Sequence, residues 1–403
     1  MNHSNHTQFV HAGRDDLRTL GVHALPVDLS TTYPLSDVSG GTASLDALVS
    51  GQASAENPVY ARLYNPTVAR WEQALASAEG ADSAVAFSSG MAALTACLLA
   101  MRERGSHVVA VRPVYGTSDH LLDCGLLGNE ITWARADEVA AAIRSDTALV
   151  MIETPANPTL ELVDIEAVVG QAGSVPVMVD STFATPVLQQ PLRHGASLVM
   201  HSATKFLGGH GDVMAGAIAC SENWAARLRQ VRVVTGALLH PWAAYLLHRS
   251  MPTLKLRVER AQHVASQLAT HLAGDARIGR VFYPGLAGSR NSHLVGQQMR
   301  GPGSVLAFEV NGDFATAAKV IEYVSLITPA VSLGSVDSLI QHPAALTHRV
   351  MSDHDRDHCG ISQSLLRLSV GLEEPEDLWA DLDQALAKAF AASASEMATA
   401  CAA

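Results

Sequence analysis

The chain has 403 residues, 48% of them hydrophobic and 16% charged, with 27 Lys plus Arg against 39 Asp plus Glu for a net charge of −12. This length and apolar content suit two or three domains with a large core and exclude intrinsic disorder. The acidic balance lacks the basic footprint of a nucleic-acid or anionic-membrane binder, and no uncharged apolar run reaches the ~18–20 residues of a membrane-spanning helix.

The polar start Met1-Asn2-His3-Ser4-Asn5-His6 leads into no apolar run, so no secretory signal is expected. In chain order, the first predicted element is a helix over Asn65–Glu79. Asn65 is placed to cap it, Pro66 suits the first helical position, and Val68, Trp71, Leu75 and Ala78 line one face before Gly80. Short apolar runs follow at Ser83–Phe87, His107–Val111, Ala148–Ile152, Val175–Val179, Leu198–Met200 and Val213–Ala219. Their apolarity is continuous rather than alternating, which predicts strands buried on both faces in a mostly parallel sheet covered by helices. The fold class is therefore α/β.

Near residue 250 the pattern changes. Leu254, Val258, Ala261, Ala265, Leu268 and Leu272 predict one long helix after Pro252, at the start of a second, smaller domain. Strands are predicted at Ser304–Val310, Leu326–Ser332 and Leu365–Val370, and a last amphipathic helix carries Leu378, Trp379, Leu382, Leu386 and Phe390. The small-residue tail from Ala391 is expected to fray. The five cysteines, Cys97, Cys124, Cys220, Cys359 and Cys401, are odd in number and include no C-x-x-C, which reads as reduced thiols of a cytoplasmic protein.

Three predicted strand ends carry chemistry, where open α/β sheets place their ligands. Ser88-Ser89-Gly90-Met91 leads into an apolar helix and forms a potential anion site, although such turns are common. Asp180 closes the fourth buried run of that half; taken singly it reads equally well as a cap or turn-former. Lys205 stands between Ser202, Thr204 and the glycines Gly208 and Gly209, an unusual setting for a lysine just past a buried strand. A partly desolvated lysine can form a Schiff base with a carbonyl. No Walker loop precedes it. An anion site, a carboxylate and a lysine together match what pyridoxal phosphate requires for its phosphate, pyridine nitrogen and aldehyde.

The motifs go further. Tyr60-x-Arg62-x-x-Asn65-Pro66-Thr67, Ser88-Ser89-Gly90-Met91-Ala92-Ala93, Val114-Tyr115-Gly116, Glu153-Thr154-Pro155-Ala156-Asn157-Pro158, Ser202-x-Thr204-Lys205 and Ser332-Leu333-Gly334 run along nearly the whole chain, which ends the series at Arg367-Leu368-Ser369-Val370-Gly371. With them the sequence resembles the pyridoxal-phosphate enzymes of cysteine and methionine metabolism, the trans-sulfuration group of cystathionine γ-synthase, cystathionine γ-lyase and methionine γ-lyase. The resemblance implies a fold type I, aspartate-aminotransferase-like large domain over 61–254, a smaller α/β domain over 255–403, and an arm over 1–60 that serves a neighbouring subunit. It implies a cytoplasmic homotetramer of two catalytic dimers.

It also implies roles. Lys205 would join the cofactor and shuttle protons, Asp180 would pair with the pyridine nitrogen, and Tyr115 would stack on the ring and assist proton transfer. Gly90, Met91, Ser202 and Thr204 would hold the phosphate, with Tyr60 and Arg62 reaching in from the neighbour. Asn157 would lie near the phenolic oxygen, and Arg367 and Ser332 would bind the substrate carboxylate. Glu153 would shape the cofactor floor. The implied reaction is γ- or β-elimination on a sulfur amino acid, a carbon–sulfur lyase; the alternative is γ-replacement, as in cystathionine γ-synthase or an O-acylhomoserine sulfhydrylase. Val331 is apolar where cystathionine γ-lyases carry an acid, yet Thr117 and Arg232-Val233 depart from the usual Cys and Lys-Asp of methionine γ-lyases. Asp353-His354-Asp355-Arg356-Asp357-His358-Cys359 resembles a metal cluster but reads as a solvated loop, and His210 reads as a turn residue; no metal is expected.

Overall fold

The structure, a computed structural model, describes residues 5–402, with side chains described from 7 to 395. The chain divides into two compact units. The first comprises residues up to 111, 125–152 and 165–255; the second comprises 112–124, 153–164 and the chain from 256 onward.

The first unit is built on a seven-stranded sheet. Its strands are β1 (Ser83–Phe87), β2 (His107–Val111), β3 (Glu130–Ala134), β4 (Thr147–Glu153), β5 (Val177–Asp180), β6 (Leu198–His201) and β7 (Gly216–Cys220), in spatial order β1-β7-β6-β5-β4-β2-β3. β5–β6, β2–β4 and β2–β3 pair in parallel, whereas β7 runs antiparallel to both β1 and β6. Every residue of β1, β2, β4, β5, β6 and β7 is buried, as continuous apolar runs require. The edge strand β3 was not predicted, because it mixes Glu130 and Thr132 with Ile131 and Trp133 and is only partly covered.

The helix Pro66–Glu79 forms as its sequence dictates. The Asn65 side chain accepts from Thr67 N and Val68 N at 3.0 and 3.1 Å, and Gly80 ends the helix at φ 69°. Trp71, Leu75 and Ala78 are almost fully buried and pack toward β1. Glu72 on the same helix is also turned inward. It accepts from Ala86 N at 2.7 Å and from Arg232 at 2.5 Å, and Arg232 also donates to Ala86 O. The pair ties this helix, β1 and the helix Glu222–Thr235 together.

The second unit has a five-stranded sheet of β8 (Ile278–Phe282), β9 (Val305–Val310), β10 (Thr328–Pro329), β11 (Leu339–Gln341) and β12 (Leu365–Ser369), in order β10-β11-β12-β9-β8. All its pairings are antiparallel except β10–β11. Val264, Leu268 and Leu272 of the helix Leu254–Ala273, with Leu378, Leu382 and Leu386 of the last helix, pack on Leu306, Phe308, Leu366 and Leu368.

Three expectations need correction here. The strand predicted over Leu326–Ser332 contracts to Thr328–Pro329, since the chain turns at Ser332, where φ is 87°. The stretch read as a solvated loop holds a short helix, Asp353–His358, whose N-cap Ser352 accepts from Asp355 N. Arg112 bonds Asp355 at 2.9 Å, and Arg356 and Cys359 are buried rather than solvated. The tail continues in the helix Pro375–Ala402 because alanine has the highest helix propensity.

The Glu72–Arg232 pair offers a stability test. Glu72→Ala leaves a buried guanidinium and the Ala86 N–H unmatched, so apparent unfolding free energy should fall by about 3–5 kcal/mol. The double variant Glu72→Leu with Arg232→Met should recover most of that loss in a denaturant titration, because neither charge then remains buried.

Candidate active site

In the first unit, the ends of β1, β5 and β6 meet. Asp180 is the last residue of β5. Its Oδ1 accepts from Thr182 N at 3.0 Å and from Thr182 Oγ1 at 2.5 Å, and Thr182 Oγ1 in turn accepts from Ser202 N at 2.8 Å. A Cβ at Gly90 would sit 3.0 Å from the Ser202 Cβ, so the turn after β1 lies directly against the turn after β6. A Cβ at Gly216 would sit 2.1 Å from Ser89 O, which makes glycine obligatory at the start of β7. Ser89 caps the helix Gly90–Ala100 by accepting from Ala92 N at 3.1 Å. The first N–H groups of that helix have no intrahelical acceptor and form a cradle for an anion.

Lys205 sits in a tight turn. Its N–H donates to Ser202 O at 3.1 Å and its carbonyl accepts from Gly209 N at 2.7 Å. Thr204 fastens this turn to β7: its hydroxyl donates to Ala215 O at 3.1 Å and accepts from Ala215 N at 2.9 Å. Its only proton is thereby engaged, while the Ser202 side chain lies against Gly90 at the cradle. His210 is exposed, with Nδ1 2.8 Å from Gly208 O, as a turn residue would be.

Burial raises the Asp180 carboxyl above its ordinary range, against the lowering effects of the Thr182 bonds and of His201. His201 is held by Glu79 at 2.5 Å, and both are buried. Thr182, His201 and Glu79 were missed from the sequence, because nothing but the fold brings Glu79 to the end of β6. Tyr60 and Arg62 lie apart from this cluster in the sense that both are exposed. Arg62 donates to Val233 O at 2.9 Å and its guanidinium is 5.7 Å from the Tyr60 ring centre.

The second unit carries its own cluster. Glu153, at the end of β4, accepts from Tyr115 N at 2.7 Å through one oxygen and from Asn157 N at 2.8 Å through the other. Its work is thus to pin two backbone segments. Arg367 on β12 is buried and donates to Asn157 Oδ1 at 2.8 Å and to Ser332 O at 2.7 Å. Burial pulls its guanidinium down to about 10, offset by Tyr115 and Glu153, so it is charged at neutral pH. Among the described residues no carboxylate forms an ion pair with Arg367. Ser332 holds a positive φ that costs a non-glycine residue about 1–3 kcal/mol, and that strained turn aims its carbonyl at the guanidinium. Val331 beside it is 52% exposed.

Comparison with known proteins follows the same residues. The profile of the Cys/Met metabolism PLP-dependent enzymes matches residues 6–387. The chain belongs to that family. L-methionine gamma-lyase of Streptomyces avermitilis is 58% identical over 382 residues, covering 94% of this chain and 88% of that one. L-methionine gamma-lyase of Brevibacterium sandarakinum is 55% identical over 383 residues, covering 94% and 96%. Among solved structures, cystathionine gamma synthase from Xanthomonas oryzae pv. oryzae in complex with cystathionine is similar with a TM-score of 0.90 at 33% identity, covering 97% and 100%.

The residues fit the family's cofactor, pyridoxal phosphate. A buried carboxylate that meets only hydroxyl and N–H donors is costly to ionise, and a protonated pyridine nitrogen is the counter-charge it lacks. The glycine-lined cradle before the helix Gly90–Ala100 suits a phosphate, and a lysine amine such as that of Lys205 is the group an aldehyde requires. The enzyme is a PLP-dependent member of cysteine and methionine metabolism.

A test follows from Asp180. Because its folded carboxyl is raised, the folded state binds its proton more tightly, and this group's contribution to stability declines as pH rises through that window. Asp180→Asn keeps an oxygen for both Thr182 donors but removes the buried charge. The cofactor-free variant should melt above cofactor-free wild type at pH 8, while its affinity for pyridoxal phosphate falls at least about tenfold. Calorimetric melting and cofactor titration measure the two effects.

Proposed function

We propose that this chain is a carbon–sulfur lyase that splits L-methionine by γ-elimination with water, releasing methanethiol, α-ketobutyrate and ammonia. The observation that carries the substrate is the 58% and 55% identity, over 94% of the chain, to proteins named L-methionine gamma-lyase. The pocket chemistry supports it. A longer substrate with a distal ammonium would need an acidic partner, and Val331 offers none. The second reading, γ-replacement, draws on the solved cystathionine gamma synthase, whose identity is lower at 33%.

Once bound, pyridoxal phosphate supplies the electron sink that acidifies the substrate Cα–H. Lys205 would hold its aldehyde carbon until the substrate amine takes that place, and the freed Nζ would then move protons between Cα and Cβ. Asp180 would keep the pyridine nitrogen protonated, and Tyr115 would lie against the ring and carry a proton through its hydroxyl. Gly90, Met91 and Ser202 hold the phosphate, with Thr204 bracing the turn that carries Ser202 and Lys205. Arg367 takes the substrate carboxylate as a bidentate fork, assisted by Ser332 and Asn157. Glu153 fixes the backbone of Tyr115 and Asn157 and so sets their places.

The working unit in this reading is a cytoplasmic homotetramer of two catalytic dimers, with residues 1–60 as an arm and Tyr60 and Arg62 completing a neighbour's phosphate site. No helix among the described residues is long and apolar enough to cross a membrane.

Two experiments test this. Wild type incubated with methionine should give methanethiol and α-ketobutyrate in equal amounts, and Lys205→Ala should lose the yellow band near ~420 nm expected of the cofactor linkage, with turnover falling roughly 10²–10⁴-fold or more. Inert methionine, with thioether formed from an O-acylhomoserine and cysteine, would establish γ-replacement instead. Separately, mixing inactive Arg62→Ala and inactive Lys205→Ala subunits should restore activity, because a mixed dimer holds one site with both residues intact. Silence after demonstrated subunit exchange would assign the whole site to one chain.

A further inference from the structure

The antiparallel register of β11 and β12 sets Gln341 directly opposite Arg367, whereas the opposite position on β9 is Ala307. Directly opposed residues project from the same face, so Gln341 is the large polar neighbour of the guanidinium on this sheet, and Ala307 leaves it room. Gln341 is buried. Arg367 presents only N–H donors, so the Gln341 amide must turn its oxygen toward them. In that orientation the oxygen accepts from the two terminal nitrogens of Arg367 at 3.1 and 3.2 Å, and from Thr347 Oγ1 at 3.0 Å. Asn157 Oδ1 and Ser332 O complete the set. Every acceptor around the guanidinium is neutral.

A glutamate at 341 would have nearly the same shape and would bond the same fork more strongly, because both groups would then be charged. It would also cancel the charge that an incoming carboxylate needs. We infer that Gln341 is a positioning residue that fixes the fork of Arg367 while leaving its positive charge for the α-carboxylate of the substrate. This rests on the reading of Arg367 as the carboxylate-binding group. Thr347 serves Gln341 in turn. Its hydroxyl steadies the amide oxygen, and its carbonyl lies so close to Gly116 that a Cβ there would approach to 2.4 Å, which wedges this segment against the residue following Tyr115. His348, next in the chain, is pushed down to about 3 by burial and then by the charge of Arg367, so it adds no competing charge.

The test compares holoenzymes of wild type, Gln341→Glu, Gln341→Met, Thr347→Val and Arg367→Leu. 4-(Methylthio)butanoate, which keeps the carbon chain and carboxylate of methionine but lacks the amine, serves as the probe, titrated by calorimetry, alongside steady-state kinetics with methionine. Gln341→Glu should raise the probe Kd and the methionine KM together by roughly ten- to one-hundred-fold, while kcat changes far less and the cofactor absorbance is unaltered. Gln341→Met and Thr347→Val should shift both in the same direction by a smaller factor. They decide the matter if Gln341→Glu fails to fold. Wild-type Kd and KM in the 341 and 347 variants, with loss of both in Arg367→Leu, would overturn the role of Gln341 and leave that of Arg367 standing. Wild-type probe affinity in Arg367→Leu would overturn the carboxylate reading itself.

Discussion

Each of the two units buries a charge that its own ion pairs do not neutralise. Asp180 is met by the N–H and hydroxyl of Thr182, and Arg367 by the oxygens of Asn157, Ser332 and Gln341. Other buried arginines are paired directly: Arg232 with Glu72, and Arg229 with Glu222. The difference is chemical. A charge held by neutral dipoles is oriented but keeps its field, and a ligand of opposite sign then gains both the Coulombic attraction and a partner that needs no reorganisation.

Holding such a charge in place demands rigid neighbours, and the sheets provide them. Asp180 and Ser202 stand at the ends of adjacent parallel strands, so a single threonine hydroxyl bridges them. The close approach of Gly216 to Ser89 and of Gly90 to Ser202 brings a third strand end to the same place without side chains in the way. In the second unit the work falls to Glu153. One carboxylate spans two backbone N–H groups, those of Tyr115 and Asn157, and through Asn157 it reaches Arg367. The Glu153 oxygens hold backbone donors, and the groups that accept from the arginine are neutral.

What could be read from the sequence follows from the same physics. Fully buried strands announce themselves as unbroken apolar runs, so β1, β2, β4, β5 and β6 were legible, as were the cap at Asn65 and the stop at Gly80. β3 is an edge strand, β8 is broken by Gly279 and Arg280, and β11 has three residues; none carries a period long enough to detect. Lys205, Asp180 and Arg367 were legible through motifs. Thr182, His201, Glu79 and Gln341 were not, because their importance lies in partners brought by register or by sheet order, as with Gln341 opposite Arg367 and Glu79 against His201. Asp353–His358 misled for the opposite reason. Its hydrophilic composition suggests solvent, but Arg112 and Ser352 recruit its acids into a capped helix.

The same arrangement sets a conflict between stability and function. Substituting a counter-ion beside Asp180 or Arg367 would improve the cofactor-free and substrate-free protein, since desolvated charges are costly when they face only dipoles. The Glu72–Arg232 pair shows that this chain does build such ion pairs where no ligand needs the charge. The strained backbone of Ser332 points the same way, because a turn at φ 87° is tolerated where its carbonyl orients the guanidinium. The positions that cost the fold most are therefore those proposed to hold cofactor and substrate, and the rest of both sheets supplies the stability that offsets them.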